Sequence, residues 1–306
     1  MEKIFKNFFL FLSKNKFLNA TAKKIGLKFG AKRFIAGETI EQAVDRIKKL
    51  NDEGIIITVD YVGEFVDNEE EASKMADGSI AAIKLIHEHN LDSHLSLKMT
   101  SMGLDISDEV ILGNMRRILD TAKACDVYVT IDMEDYERCD KTMEIFHLLA
   151  EEYDNLGLVI QAYLYRSEKD VEKLHTSGAR PMLRLCKGAY KESPEVAFPE
   201  KKDIDENFKK LIAQYMQYGN YTMVATHDDA IIEFTKQYAK EHNIPKSQFE
   251  FQLLFGIGVE KQKQLVREGY TVRVYMPYGH DWYGYFMRRL AEKPSNVFLI
   301  AKGIFK

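Results

Sequence analysis

A short β-branched or aromatic run, a polar turn and a stretch of helical period recur eight times between residues 55 and 277. A chain written this way has few folds open to it. The strand-like runs fall at 55–62, 94–100, 126–133, 157–164, 181–187, 221–227, 248–255 and 270–277. Between them lie helical stretches such as 70–89, with Ile80, Ile83, Leu85 and Ile86, and 108–124, 204–218 and 229–242. Several of the runs are almost continuously apolar, as buried parallel strands are, and only a parallel sheet needs a helix in every connection. Eight such units in about 250 residues match a closed (β/α)8 barrel. The alternative, a doubly wound open sheet, normally carries G-x-G-x-x-G after its first strand. None follows Val62; the one G-x-G, Gly256 and Gly258, comes late and lacks the third glycine, and no G-x-x-x-x-G-K-[ST] occurs. The expected fold class is therefore α/β, a (β/α)8 TIM-type barrel.

Ahead of the first unit, T-x-x-Q at 39–42 precedes Ile40, Val44, Ile47 and Leu50, which predicts a capping-box start to an amphipathic helix that Gly54 ends. This divides the chain into a basic amphipathic N-terminal arm, 1–37, and a barrel domain, 38–306. The arm carries nine Lys and Arg residues against one acid, Glu2, although the whole chain has a net charge of −4. The overall balance argues against a nucleic-acid partner. With 45% hydrophobic residues, intrinsic disorder is excluded as the main state. Cys125, Cys139 and Cys186 stand singly without C-x-x-C spacing, so neither a disulfide framework nor a zinc knuckle is expected, and a reducing compartment fits. The apolar run 8–12 is too short for a signal sequence or a membrane span, which makes a cytoplasmic location the expectation.

In such a barrel the active site lies at the C-terminal ends of the strands. The polar residues there are Lys98 in S-L-K-M-T, Asp132 in T-I-D-M-E, Gln161 in I-Q-A-Y, and Arg184 with Lys187 in R-L-C-K-G-A-Y. Thr226 and His227 in A-T-H-D, Glu250 and Gln252 in F-E-F-Q, and Tyr275 in V-Y-M-P continue the series. Any one of them reads equally as a solvated strand end. Seven strands of eight supplying such a group require water, a ligand or mutual pairing, because an unpaired buried polar group costs about 1 to 3 kcal/mol. After the last run, Tyr285, Arg288, Arg289 and Glu292 are related by i+3 and i+4 steps of a helix. Two guanidinium groups at a barrel mouth suit a small carboxylate, although such arginines can equally be surface charges. The eight histidines show no metal-ligand spacing and no nucleophile elbow is present, so an organic cofactor is expected to carry the chemistry.

These segments, together with Y-F-M-R-R-L-A-E from Tyr285 and V-Y-M-P-Y-G from Val274, resemble the proline dehydrogenase family over most of the barrel. The resemblance implies an FAD enzyme that oxidises L-proline to Δ1-pyrroline-5-carboxylate by hydride transfer to flavin N5, with a membrane quinone as the electron acceptor. Position by position, it implies that Arg288 and Arg289 grip the proline carboxylate and that Lys98, Asp132, Leu254, Tyr275 and Tyr285 complete the substrate pocket. Gln161, Arg184, Lys187, Gly188, Ala189, Tyr190, Thr226, His227 and Glu292 would line FAD, with Asp132 beside it. Glu64 in V-G-E-F resembles a carboxylate that pairs with the first arginine and gates the site. Lys191 and Cys186 depart from the family pattern, which has an aromatic and an aliphatic residue there. We expect Lys98 and Asp132 to form an ion pair. The end of the chain soon after the arginine helix suggests the monofunctional, bacterial type, whose product passes to a separate pyrroline-5-carboxylate dehydrogenase.

Two other readings of the residues stay open. In a cofactor-free lyase or aldolase, Lys98 or Lys187 would form a Schiff base; in a membrane-tethered scaffold the arm would be the working part. Ile4, Phe5, Phe8, Phe9, Leu12 and Phe17 among the lysines of the arm fit an anionic membrane interface, and equally fit a helix packed on the barrel.

Overall fold

The computed structural model describes residues 31–292 except Glu64, with the side chains of 288–292 outside the description. A 3-10 turn, Glu41–Ala43, leads into α1, Val44–Asp52. Then β1 (Ile56–Tyr61), α2 (Glu69–Glu88), β2 (Ser93–Lys98), α3 (Asp108–Ala124), β3 (Val129–Asp132), α4 (Cys139–Ala150) and β4 (Leu156–Gln161) follow in order. The second half runs α5 (Ser167–Thr176), β5 (Leu183–Cys186), α6 (Lys201–Gln217), β6 (Thr222–Ala225), α7 (Asp229–Glu241), β7 (Phe249–Leu254), α8 (Val259–Arg267), β8 (Thr271–Tyr278) and α9 (Trp282–Glu292). All eight strands are parallel and pair in chain order, and β1 closes on β8 with Ile56 opposite Arg273 and Tyr61 opposite Tyr278. The fold is the expected α/β (β/α)8 barrel.

Each local signal has its physical outcome. Asn68 accepts a hydrogen bond from the Glu71 amide at the start of α2, where three glutamates also meet the positive end of the helix dipole. Ser107 caps α3 and Asp228 caps α7 in the same way. The capping box at 39–42 is displaced by one residue: the Gln42 amide oxygen accepts from the Glu38 N–H, not from Thr39, and a 3-10 turn precedes the helix proper. Gly54, at φ +78°, terminates α1 as expected.

Successive strand side chains point to opposite faces, so each strand sends one set outward under the helices and the other into the barrel. The outward set is apolar. Ile57, Val59, Leu95, Val129, Ile131, Leu183, Phe249, Phe251 and Val274 are fully buried with Ile83, Ile118, Phe146 and Phe208 of the helices. The inward set is largely polar: Thr58 and Asp60, Ser96 and Lys98, Thr130 and Asp132, Arg184, Glu250 and Gln252, Arg273 and Tyr275. Glu250 does not belong to the strand ends. It is the second residue of β7, fully buried, and pairs in a fork with Arg273 at 2.7 and 3.1 Å, so it forms part of the barrel floor. Gln252 donates to the same carboxylate at 2.6 Å.

Candidate active site

Asp132, the last residue of β3, lies at the centre of the mouth. Its Oδ1 accepts from Arg184 Nη1 at 2.6 Å and from Ser96 Oγ at 2.7 Å. Its Oδ2 accepts from Tyr275 at 2.7 Å and from Lys98 Nζ at 3.4 Å. The Lys98–Asp132 ion pair expected from the sequence is thus present, and Lys98 also reaches Asp60 of β1 at 3.5 Å. Burial alone would raise the Asp132 carboxyl. Lys98 and Arg184, helped by the Ser96 and Tyr275 hydrogen bonds, outweigh that and hold it below the usual carboxylate range. Burial first, then the charges of Asp132 and Asp60, drive the Tyr275 phenol well above its ordinary value, so it stays a neutral donor. The Arg184 guanidinium also lies over the Tyr275 ring, 5.2 Å from its centre.

A second charged cluster occupies the β5 and β6 ends. Lys187 Nζ donates to Asp228 at 2.7 Å and also pairs with Asp205, and Lys201 bridges the same two carboxylates. The hydrogen bond from Lys187 is the main reason that the Asp228 carboxyl is lowered to about 2. Thr226 Oγ1 accepts from the Asp228 amide at 3.0 Å, and His227 Nε2 accepts from the Leu254 amide at 3.1 Å. That acceptor role leaves the proton of the neutral ring on Nδ1. Gly188 stands at φ +100°, and a Cβ there would lie 2.2 Å from the Tyr163 ring, so the loop leading through Ala189 and Tyr190 requires glycine at this point. Cys186, between the two clusters, has its thiol pushed up to about 11, chiefly by burial.

The unpaired atoms are as informative as the paired ones. Arg184 is 5% exposed, yet its Nε and Nη2 have no partner among the described residues, and neither has the Gln161 amide oxygen at the end of β4. Two donors and an acceptor buried at one mouth without a partner among the described residues, each costing about 1 to 3 kcal/mol when unmet, suit a polar ligand. A planar heterocycle with acceptors and a donor along one edge, as in a flavin, fits that set.

The structure gathers Lys98, Asp132, Arg184 and Tyr275 into one bonded group. Lys187, Thr226, His227 and Leu254 fall in the neighbouring loops and strand ends. Tyr285 is buried on α9 in a separate apolar cluster. Arg288, Arg289 and Glu292 belong to α9 by backbone, but their side chains, and Glu64 altogether, lie outside the described residues. Sequence reasoning missed Asp60 and Ser96. The signal was the alternation in I-I-T-V-D-Y and S-H-L-S-L-K, where the polar residues sit at the inward positions of β1 and β2. It also missed Asp205 and Asp228 as the partners of Lys187.

A parallel barrel whose mouth ties one carboxylate to two cations and a phenol, with unmet donors beside them, is an enzyme of the barrel class with a charged small-molecule site. The chain belongs to the proline dehydrogenase family, whose model matches residues 43–300. It is 54% identical to Proline dehydrogenase 1 of Bacillus subtilis subsp. natto over 97% of this chain and 98% of that protein. Identity to Proline dehydrogenase of Deinococcus radiodurans is 43%, over 90% of each. Among solved structures, proline utilization A from Bdellovibrio bacteriovorus inactivated by N-propargylglycine superposes with a TM-score of 0.83 at 27% identity. That match covers 96% of this chain and 37% of the other. Among the described residues no helix is long and apolar enough to cross a membrane.

Proposed function

We propose that this protein oxidises L-proline to Δ1-pyrroline-5-carboxylate with FAD as its cofactor, passing electrons to a membrane quinone in the first step of proline catabolism to glutamate. The observation that carries this reading is the Asp132 group, with the unmet Arg184 and Gln161 atoms beside it, in a chain 54% identical to a named proline dehydrogenase. When bound, FAD supplies the ring that accepts the hydride.

The chain's own residues do the rest. Arg288 and Arg289 hold the proline carboxylate, while Tyr275, Leu254, Tyr285 and the Lys98–Asp132 pair shape the pocket around the pyrrolidine ring. Arg184 and Gln161 meet the flavin edge, Arg184 bringing positive charge to it. Lys187, Gly188, Ala189, Tyr190, Thr226, His227 and Glu292 line the remainder of the cofactor, and Glu64 gates the pocket. The product passes to a separate pyrroline-5-carboxylate dehydrogenase. We assign the protein to the cytoplasm, with the basic arm touching the inner face of the membrane. Flotation with anionic liposomes tests that contact, and equal flotation after removal of residues 1–20 would refute it.

Both candidate Schiff-base lysines are engaged as donors to carboxylates, Lys98 to Asp60 and Asp132 and Lys187 to Asp205 and Asp228, which weighs against the lyase reading. The decisive experiment is a visible absorbance scan of the purified protein, followed by a dye-coupled assay against cyclic and linear amino acids. A flavin band and oxidation of proline are expected; borohydride trapping of substrate on a lysine without the band would overturn the reading. Arg289→Met should raise the proline KM about thirtyfold or more with FAD still bound, since a lost charge pair is worth about 2 to 5 kcal/mol.

A further inference from the structure

Among the described residues, the buried side chains of helix α9 stand apart from the main barrel core. Its buried residues Trp282, Tyr283, Tyr285 and Phe286 form a separate cluster with Ala31, Phe34, Ile35 and Val62. Among the described residues, apart from Val62, just after β1, and Ile257 at the rim, the apolar face of this helix is covered by chain that precedes α1. The Phe34 and Phe286 rings lie 6.0 Å apart.

Residues 31–37 are stitched in place as a strap. The Ala36 amide donates to the Pro277 carbonyl at 2.9 Å, and the Gly279 amide donates to the Gly37 carbonyl at 3.0 Å, so both bonds fall at the junction of β8 and α9. The Arg33 carbonyl runs so close to Gly256 that a Cβ there would lie 1.9 Å from its oxygen. From the far side, Arg46 of α1 donates through Nη1 to the carbonyls of Lys32 at 2.9 Å and Ile35 at 3.2 Å. Arg46 thus ties the strap to α1, and the strap in turn covers the helix that carries Arg288 and Arg289.

From this arrangement we infer that the strap sets the position of α9 over the barrel mouth, and that Arg46 and Gly256 are positioning residues for recognition of the substrate carboxylate. This deepens the proposed function and rests on it for the role of the two arginines. Charged pairs of this kind depend steeply on placement, so a small shift of α9 weakens carboxylate binding most, while the ring-facing groups carried by the strands, Lys98, Asp132, Leu254 and Tyr275, stay in place and only Tyr285 moves with the helix.

The test uses the full-length holoenzyme carrying Arg46→Met, Arg46→Lys or Gly256→Ala. Amide exchange across 282–292 should quicken roughly tenfold in Arg46→Met, since the helix opens locally once its cover loosens. The proline KM, and the inhibition constant of tetrahydro-2-furoate, should rise about fivefold while kcat stays within about twofold. Inhibition by pyrrolidine, which has the ring but no carboxylate, should weaken by less than about twofold, because of the ring-facing groups only Tyr285 rides on α9. Arg46→Lys should recover part of the loss, and Gly256→Ala should reproduce it from the other side of the strap. Unchanged α9 exchange in both Arg46→Met and Gly256→Ala would overturn the inference, as would faster exchange with an unaltered KM or equal weakening of both inhibitors. If the unmodified enzyme fails to oxidise proline, the functional reading falls, and the exchange measurement still decides whether the strap holds the helix.

Discussion

Four donors converge on the two oxygens of Asp132: Ser96, Arg184, Lys98 and Tyr275. Only a carboxylate can serve them all, because each of its oxygens accepts more than one hydrogen bond and neither donates. Asparagine keeps the shape but offers one acceptor and one donor, so its amide N–H₂ would face two of the same four donors. Lys98 would retain Asp60, but Arg184 would lose its only charged partner among the described residues while remaining buried. We expect Asp132→Asn to lower kcat/KM for proline roughly a hundredfold, the equivalent of about 3 kcal/mol. Steady-state kinetics on the flavin-loaded variant check this. A loss of less than about tenfold would mean that the carboxylate is not what organises the mouth.

At the scale of the elements, the loop after β5 depends on Gly188. Its φ of +100° and the 2.2 Å approach of a Cβ to the Tyr163 ring act together, and an alanine there faces both a disfavoured backbone and an aromatic wall. Gly188→Ala should cost about 1 to 3 kcal/mol and displace Ala189 and Tyr190. The variant should purify with little bound flavin and a lower melting temperature; full flavin content would refute a role for this loop in holding the cofactor. The elements themselves were legible, all eight strands and the helix at 108–124 among them, because hydrophobic periodicity and turn chemistry are local. What escaped the sequence was part of the inward face: Lys98, Asp132, Arg184 and Tyr275 were legible at the strand ends, but not Asp60, Ser96 or the place of Glu250. In β1, Asp60 reads as a charge interrupting an apolar run until the neighbouring strand brings Lys98 to it. In β7, Glu250 looks like a strand-end group until the register with β8 puts Arg273 alongside. Pairing across strands is a tertiary fact, and no spacing along one strand encodes it.

Across the whole molecule, the barrel interior is not packed with branched apolar layers, the usual filling of such a barrel. Charge runs from the floor pair, Glu250 with Arg273, to the mouth group around Asp132. At the floor, Glu250 also takes the Tyr221 hydroxyl at 3.0 Å, and Arg273 donates to the Ile57 carbonyl at 2.9 Å. Burial, then the charges of Arg273 and Arg184, press His94 well below its usual pKa, so it adds no further cation to this stack. Desolvation of two charges makes the floor pair a poor source of net stability, yet removing one partner strands the other. Arg273→Met leaves the fully buried Glu250 with only neutral donors and should destabilise the fold by about 3 to 5 kcal/mol. Adding Glu250→Met removes the stranded charge, so the double variant should be more stable than Arg273→Met alone, a coupling that urea unfolding of the unmodified protein, the two single variants and the double variant measures directly. Additive losses would show that the two charges act independently and that the floor is held by its neutral hydrogen bonds.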